Sequence, residues 1–424
     1  MRGRFRSRRG AVGLALAAGL ALASPLALAH AAVAAATSPA SILAWDLNAE
    51  HAIWDVAQQP PQNTGRAFAM VHGAMYDAVN AISGTPYQPY LVSPAAGGGE
   101  SIDAAVATSA YQVLVALFPA QQATLQAQYD QSLAAIPDGT AKQGGITVGG
   151  KAATAMITAR QNDGAYAPQT WAVGSQPGQW RPTPPAFASD GAWVGHVKPF
   201  LIPSASMFRT SGPPALTSAA YAKDFNEVKA IGAKTSTIRT TDQTQAAIWW
   251  HDRRLTEWEI KRQLVTGQHL DALQAARMFA MADLAEADAV IACFNEKGAW
   301  NFWRPITAIQ LADTDGNPAT VADPNWTPLL VTPPHPDYTS GHACSTAATM
   351  LTLRYFFHKD AIAFNAYSAD SGTRRYFSSF SQALAEVIEA RVWGGIHTHI
   401  ADTQGAKIGA QVVAYMIPRY FRAR

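Results

Sequence analysis

The chain has 424 residues, 48% of them hydrophobic and 15% charged. That apolar share supplies a core, and a charged share well below the usual about 25% excludes coiled coil or disorder for most of the length. The formal charge is +2, but Arg2, Arg4, Arg6, Arg8 and Arg9 supply five of the 32 basic residues, leaving 27 against 30 acidic ones after residue 36. A body of net charge −3 excludes a broad basic surface for nucleic acid, and two cysteines are too few for a disulfide scaffold or a four-cysteine zinc site.

The first 36 residues have the layout of a signal peptide: arginines, an uncharged apolar run over 10–23, then small residues with candidate cleavage sites at Ala29-His30-Ala31 and Ala32-Val33-Ala34. Ser7-Arg8-Arg9 leaves both a twin-arginine and an ordinary Sec signal open. The run is short for a membrane helix, and no later stretch reaches about 18 uncharged apolar residues. The expectation is a secreted or periplasmic protein without a transmembrane anchor once the signal is removed.

Beyond it, apolar residues recur at helical spacing over 43–58 and 63–82, for example Phe68, Val71, Met75, Ala78 and Ile82. Further helices are expected at 102–117, 120–135 and 141–161. Residues 162–215, rich in Pro, Gly, Ser and Trp, read as a long ordered connection whose tryptophans need burial. Helices resume over 217–232, 240–264 and 268–297. A second loop spans 311–339, and helices follow at 341–358, 374–392 and 403–417. The expected class is all-α, with helical bundles and long connecting loops. A signal segment, 1–36, precedes an N-terminal helical half with its loop, 37–215, and a C-terminal half, 216–424.

The chemistry is concentrated in the last third. In Lys297-Gly-Ala-Trp-Asn-Phe-Trp-Arg304-Pro305, two cations stand close to two helical turns apart, so a continuous helix would project them from one face. Held close, they repel unless an anion lies between them. Trp300, Phe302 and Trp303 would surround them; a solvated surface pair is the plainer alternative. In His335-Pro-Asp-Tyr-Thr-Ser340-Gly341-His342, Ser340 and Gly341 precede a helix, whose free N–H groups favour an anion. His342 is a candidate acid or base, although in isolation a simple N-cap with an incidental histidine is the preferred reading of this motif. Arg391-Val-Trp-Gly394-Gly395-Ile-His397 adds a guanidinium, an imidazole and a bend, with His399 competing for the role of His397. Together these residues suit a tetrahedral oxyanion. They suit an ordinary zinc or magnesium site poorly.

Lys297 with Arg304-Pro305, Ser340-Gly341-His342, and Arg391 with His397 resemble the three-part signature shared by type 2 phosphatidic-acid phosphatases and vanadium-dependent haloperoxidases. The order matches, as do the six-residue gap before Arg304 and the five-residue gap before His397. A weaker resemblance to bacterial haloperoxidases extends to AFAMVHGAMYDAVNAI and RTTDQTQAAIWWHD. It implies two four-helix bundles and a vanadate cofactor held by Lys297, Arg304, Ser340, Gly341 and Arg391. It implies His397 as the vanadium ligand, His342 as the group that moves a proton to or from peroxide, and halide as the species oxidised. Asp252 resembles an aspartate that supports the arginine–histidine network; a surface acid beside Arg253 and Arg254 is the alternative. His335 resembles bromoperoxidases more than chloroperoxidases, and could also merely cap its loop. Three departures bear on activity. Thr339 replaces a proline. Phe294 stands where fungal chloroperoxidases have tryptophan, which puts chloride oxidation in doubt. The aspartate expected four residues after the last histidine is Ala401, with Asp402 one further on, which counts against efficient phosphatase chemistry.

The expected function is a secreted vanadium-dependent haloperoxidase acting on hydrogen peroxide, halide (bromide or iodide before chloride) and a small organic acceptor. A secreted acid phosphatase with His397 as nucleophile, and a non-enzymatic oxyanion binder, remain open. Oligomeric state is open, a homo-oligomer included. Cys293, four residues before Lys297, and Cys344, two after His342, fall near the same pocket; buried free thiols are slightly preferred over a disulfide.

Overall fold

The computed structural model describes residues 37–252 and 258–424. The signal segment, Arg253 and Arg254 lie outside the described residues. The fold is helical, as expected, and a central helix organises it. α9 (Ala272–Trp300) is capped by Asp271, whose carboxylate accepts from the Gln274 amide while the Gln274 side chain accepts from the Asp271 amide. α9 is buried on nearly every face, the signature of a helix enclosed by others rather than lying on a surface.

On one side α9 packs against α2 (Pro61–Ile82), which in turn packs against α3 (Ile102–Leu117) and α5 (Thr140–Ala159). On the other it packs against α11 (Gly341–Phe357) and α13 (His399–Met416), with α12 (Phe380–Trp393) completing the group. Two groups of helices therefore share α9. The remaining helices are peripheral: α1 (Ala40–Glu50), α4 (Gln122–Ala134), α6 (Ala219–Ile231), α7 (Thr241–Trp249), α8 (Ile260–Gly267) and α10 (Pro305–Gln310). Among the described residues no helix is long and apolar enough to cross a membrane.

Three local expectations need correction. The helix expected over 240–264 is broken into α7 and α8; α7 ends at Trp249 and the chain turns at His251. The helix expected from 374 begins at Phe380, because residues before it form a hairpin: β1 (Phe364–Ser368) pairs antiparallel with β2 (Thr373–Phe377). Gly372, with φ +65°, makes the turn, and the strand burial alternates. Finally, Lys297 and Arg304 do not share a helix. Asn301 adopts the left-handed conformation at φ 46° and ends α9, and Arg304 is the extended residue before Pro305 opens α10.

The long connection is ordered through buried anchors. Trp171, Trp180 and Trp193 are buried in it as expected. The amides of Phe200, Leu201 and Ile202 all donate to the carboxylate of Asp288 on α9, at 2.6 to 2.8 Å. Burial pushes the Asp288 carboxyl up to about 6, against the opposing pull of those three amides. Because the folded value exceeds the ordinary 3.8, native Asp288 holds its proton where the unfolded chain has lost it. Its titration therefore adds stability that is complete below pH 3.8 and lost as pH rises through about 6. Thermal melts should show the stability of Asp288→Asn rising relative to wild type across that window; a pH-independent difference would contradict this.

Candidate oxyanion site

A cavity of about 450 Å³ opens beside the C-terminal group of helices. Phe294 of α9, His335 of the loop, Gly341 and His342 of α11, Arg391 of α12 and His397 are among the residues that line it. Lys297, Arg304 and Ser340 are fully buried and lie behind that lining. The three sequence motifs are thus brought together, although they occupy separate elements.

Each residue is placed by a local cause. Lys297 lies in the last turn of α9, and its Nζ donates to the carbonyls of Pro336 and Asp337 at 2.6 and 3.0 Å. Arg304 donates from Nε to the His335 carbonyl at 2.7 Å, from Nη1 to the Ile396 carbonyl at 2.7 Å and from Nη2 to His335 Nδ1 at 2.9 Å. Ser340 is the N-cap of α11, its hydroxyl accepting from the Ala343 amide at 3.5 Å, so capping and placement in the site are one feature. The amides of Gly341 and His342 open the helix, where no intrahelical acceptor exists. Arg391 donates from Nη1 to the Trp250 carbonyl at 3.3 Å, while its Nε and Nη2 are buried without a hydrogen-bond partner among the described residues. The Gly394-Gly395 bend is real: Gly395 has φ +73°, and a Cβ there would stand 2.3 Å from the Gly232 carbonyl oxygen.

His397 and His399 separate cleanly. His397 is buried at the cavity, whereas His399 lies between Glu227 and Glu389 on the partly exposed side of α13. The carboxylate expected after the last histidine comes instead from Asp337, which the sequence reading passed over. Asp337 Oδ1 is 2.6 Å from His397 Nδ1, and its Oδ2 accepts from the Thr398 hydroxyl at 2.8 Å. The signal was present as the acidic residue of His335-Pro-Asp, but pairing across 60 residues is visible only in three dimensions. This carboxylate favours the tautomer with hydrogen on Nδ1, which leaves Nε2 unprotonated. Asp402 is fully buried beside Ser340 and Arg391, and burial raises its carboxyl well above the ordinary range.

Burial also sets the other protonation states. It lowers Lys297 well below its ordinary value, aided by repulsion from Arg304, and brings Arg304 and Arg391 down to about 10. Burial and the surrounding cations hold His335, His342 and His397 well below the usual histidine range. Three neutral imidazoles therefore adjoin two buried guanidiniums and the Lys297 amine. An oxyanion would relieve this repulsion and meet the unused Arg391 donors, so the residues present fit a vanadate or phosphate group.

Asp252 also lines the cavity, and its Oδ2 accepts from the Ala369 amide at 2.9 Å. His335 packs its ring 5.0 Å from that of Phe294. Trp300, expected to enclose the lysine, is partly exposed and donates to Glu296 at 3.0 Å, while Phe302 and Trp303 are buried. Contrary to the preference for free thiols, Cys293 and Cys344 are paired, closing a loop of 51 residues. Such a link is worth about 4 kcal/mol through the unfolded state.

The fold is helical, and buried basic side chains stand at one cavity. Residues 277–423 match the family model described as the VCPO second helical-bundle domain. The chain is 24% identical over 379 residues to the vanadium chloroperoxidase of Curvularia inaequalis, an alignment covering 70% of this chain and 61% of that protein. The chain therefore spans less than two thirds of that relative's length. Among solved structures it resembles a bacterial vanadium-dependent iodoperoxidase, with TM-score 0.78 and 23% identity over 90% of this chain and 96% of that one. A holo-type bacterial vanadium-dependent chloroperoxidase matches with TM-score 0.66 and 17% identity, covering 90% and 97% respectively. The chain is similar in fold to these bacterial vanadium-dependent haloperoxidases, and its C-terminal part matches the domain model over residues 277–423.

Replacing Asp337 with Asn should lower vanadate affinity by about 10- to 100-fold, the usual cost of losing a group that orients a ligand. Titration calorimetry measures this, and unchanged affinity would remove Asp337 from the site.

Proposed function

We propose that the chain is a vanadium-dependent haloperoxidase that uses hydrogen peroxide to oxidise halide. The observation that carries the reading is the convergence of Gly341, Arg391 and His397 on one cavity with Lys297, Arg304 and Ser340 buried close by. Vanadate bound there would supply Lewis-acid activation of peroxide without a change of metal oxidation state. In this reading His397, held by Asp337, offers Nε2 to the vanadium. Lys297, Arg304, Arg391, Ser340 and the Gly341 amide hold the oxygens and stabilise negative charge. His342, neutral and half-buried in the cavity wall, holds and returns the peroxide proton. Asp252 and His335 complete the cavity wall, and Phe294 beside His335 favours bromide or iodide over chloride. A small organic acceptor takes up the halogen, and the arginine-rich leader directs the protein out of the cytoplasm.

One observation favours a second reading, phosphate-ester hydrolysis. The Asp337–His397 pair restores the oriented imidazole that the displaced Asp402 had put in doubt, and such a pair serves a nucleophilic histidine equally well.

Bromination of a phenolic acceptor with peroxide should appear when vanadate is added to phosphate-free protein. Lys297→Ala and His397→Ala should each lower it by at least about a hundredfold. Vanadate binding without bromide or iodide oxidation, together with hydrolysis of a phosphate ester, would replace the peroxidase reading with the phosphatase one.

A further inference from the structure

Cys293 and Cys344 are both fully buried, with Cα atoms 6.6 Å apart. Cys293 lies one turn before Lys297, on the same face of α9. Cys344 lies one turn after Ser340, and its amide donates to the Ser340 carbonyl at 3.1 Å. The disulfide thus joins the lysine-bearing turn of α9 to the helix start that presents Ser340, Gly341 and His342.

The opposite flank of that helix start is held by close packing. A Cβ at Gly405 of α13 would stand 2.5 Å from the Ser340 carbonyl oxygen, and one at Gly409 2.4 Å from that of Cys344. Glycine at both positions lets α13 lie directly on the backbone of α11. The first turn of α11 is therefore held between a covalent bond to α9 and a glycine face of α13.

This restraint opposes a definite force. A helix N-terminus carries the equivalent of about half a positive charge. Here it faces a fully buried region containing Lys297, Arg304 and Arg391. Without an anion, the positive groups, offset only in part by Asp337 and Asp402, oppose close approach of the α11 start to the lysine. An unrestrained site would relax apart, and an incoming oxyanion would have to draw it together again at the expense of affinity.

We propose that the Cys293–Cys344 disulfide is a positioning element of the oxyanion site, holding the first turn of α11 at the spacing from Lys297 that vanadate or phosphate requires. The inference rests on the oxyanion reading of the site and is independent of which reaction the site performs.

The test is calorimetric titration with orthovanadate and, separately, inorganic phosphate, well below the melting temperature. The proteins are wild type, the double variant C293A/C344A, and Met416→Ala, which removes a buried side chain from α13 away from the disulfide. The double variant should bind about tenfold more weakly, whereas Met416→Ala should lose thermal stability and keep wild-type affinity. If the double variant does not fold, wild type reduced with a phosphine under native conditions takes its place, with the same expected loss. Wild-type affinity after loss of the disulfide would overturn the proposal, as would two reactive thiols in denatured, unreduced protein. Wild type that binds neither anion would instead overturn the oxyanion reading, and this inference with it.

Discussion

Three fully buried basic side chains, Lys297, Arg304 and Arg391, share a region with two buried carboxylates, Asp337 and Asp402, and burial raises both carboxyls. Unbalanced charge away from water is among the costliest features a fold can carry. Here the cost is met in part by backbone carbonyls: Pro336 and Asp337 accept from Lys297, and His335 and Ile396 from Arg304. What remains are the Arg391 Nε and Nη2 groups, buried without a hydrogen-bond partner among the described residues, and these are groups that an anion could meet.

The surrounding backbone is tied together by several links that meet on one helix. α9 carries Cys293 and Lys297 on its C-terminal half and Asp288 two turns earlier, so one helix positions the lysine, the disulfide and the long loop. Glu296 extends the arrangement, accepting from the Thr210 hydroxyl at 2.6 Å and binding loop to helix again. A helix shared by both groups of helices cannot shift without disturbing each, which suits a site whose donors must stay fixed.

The site's polarity is equally ordered. Asp337 sits between Lys297, Arg304 and His397, accepting the imidazole proton on one oxygen and the Thr398 hydroxyl on the other. Its burial lifts its carboxyl to about 6, still leaving it ionised at neutral pH and able to fix the ring. The imidazole, pressed by neighbouring cations, stays neutral. A neutral histidine follows from desolvation and the repulsion of neighbouring cations acting in the same direction, rather than from any single contact.

Much of this was legible in the chain itself. Helical periodicity gave the helical class and most helices, including 102–117 to the residue, because amphipathic spacing is a local property. The motif spacings singled out Lys297, Arg304, Ser340, Gly341, Arg391 and His397, which the fold gathers at one cavity. The hairpin at 364–377 escaped, since ten residues offer too short an alternation to outweigh the helical pattern that follows. Other features belonged to tertiary structure alone. Lys297 and Arg304 meet across a helix break rather than along one face, because Asn301 turns the chain. Asp337 replaces the displaced aspartate because folding brings the second motif against the third. The cysteines pair because α9 and α11 pack side by side. Sequence determined which chemical groups are present and which segments coil into helices. Tertiary structure decided which groups face one another, because distances between residues far apart in the chain are set by helix packing and not by local propensity.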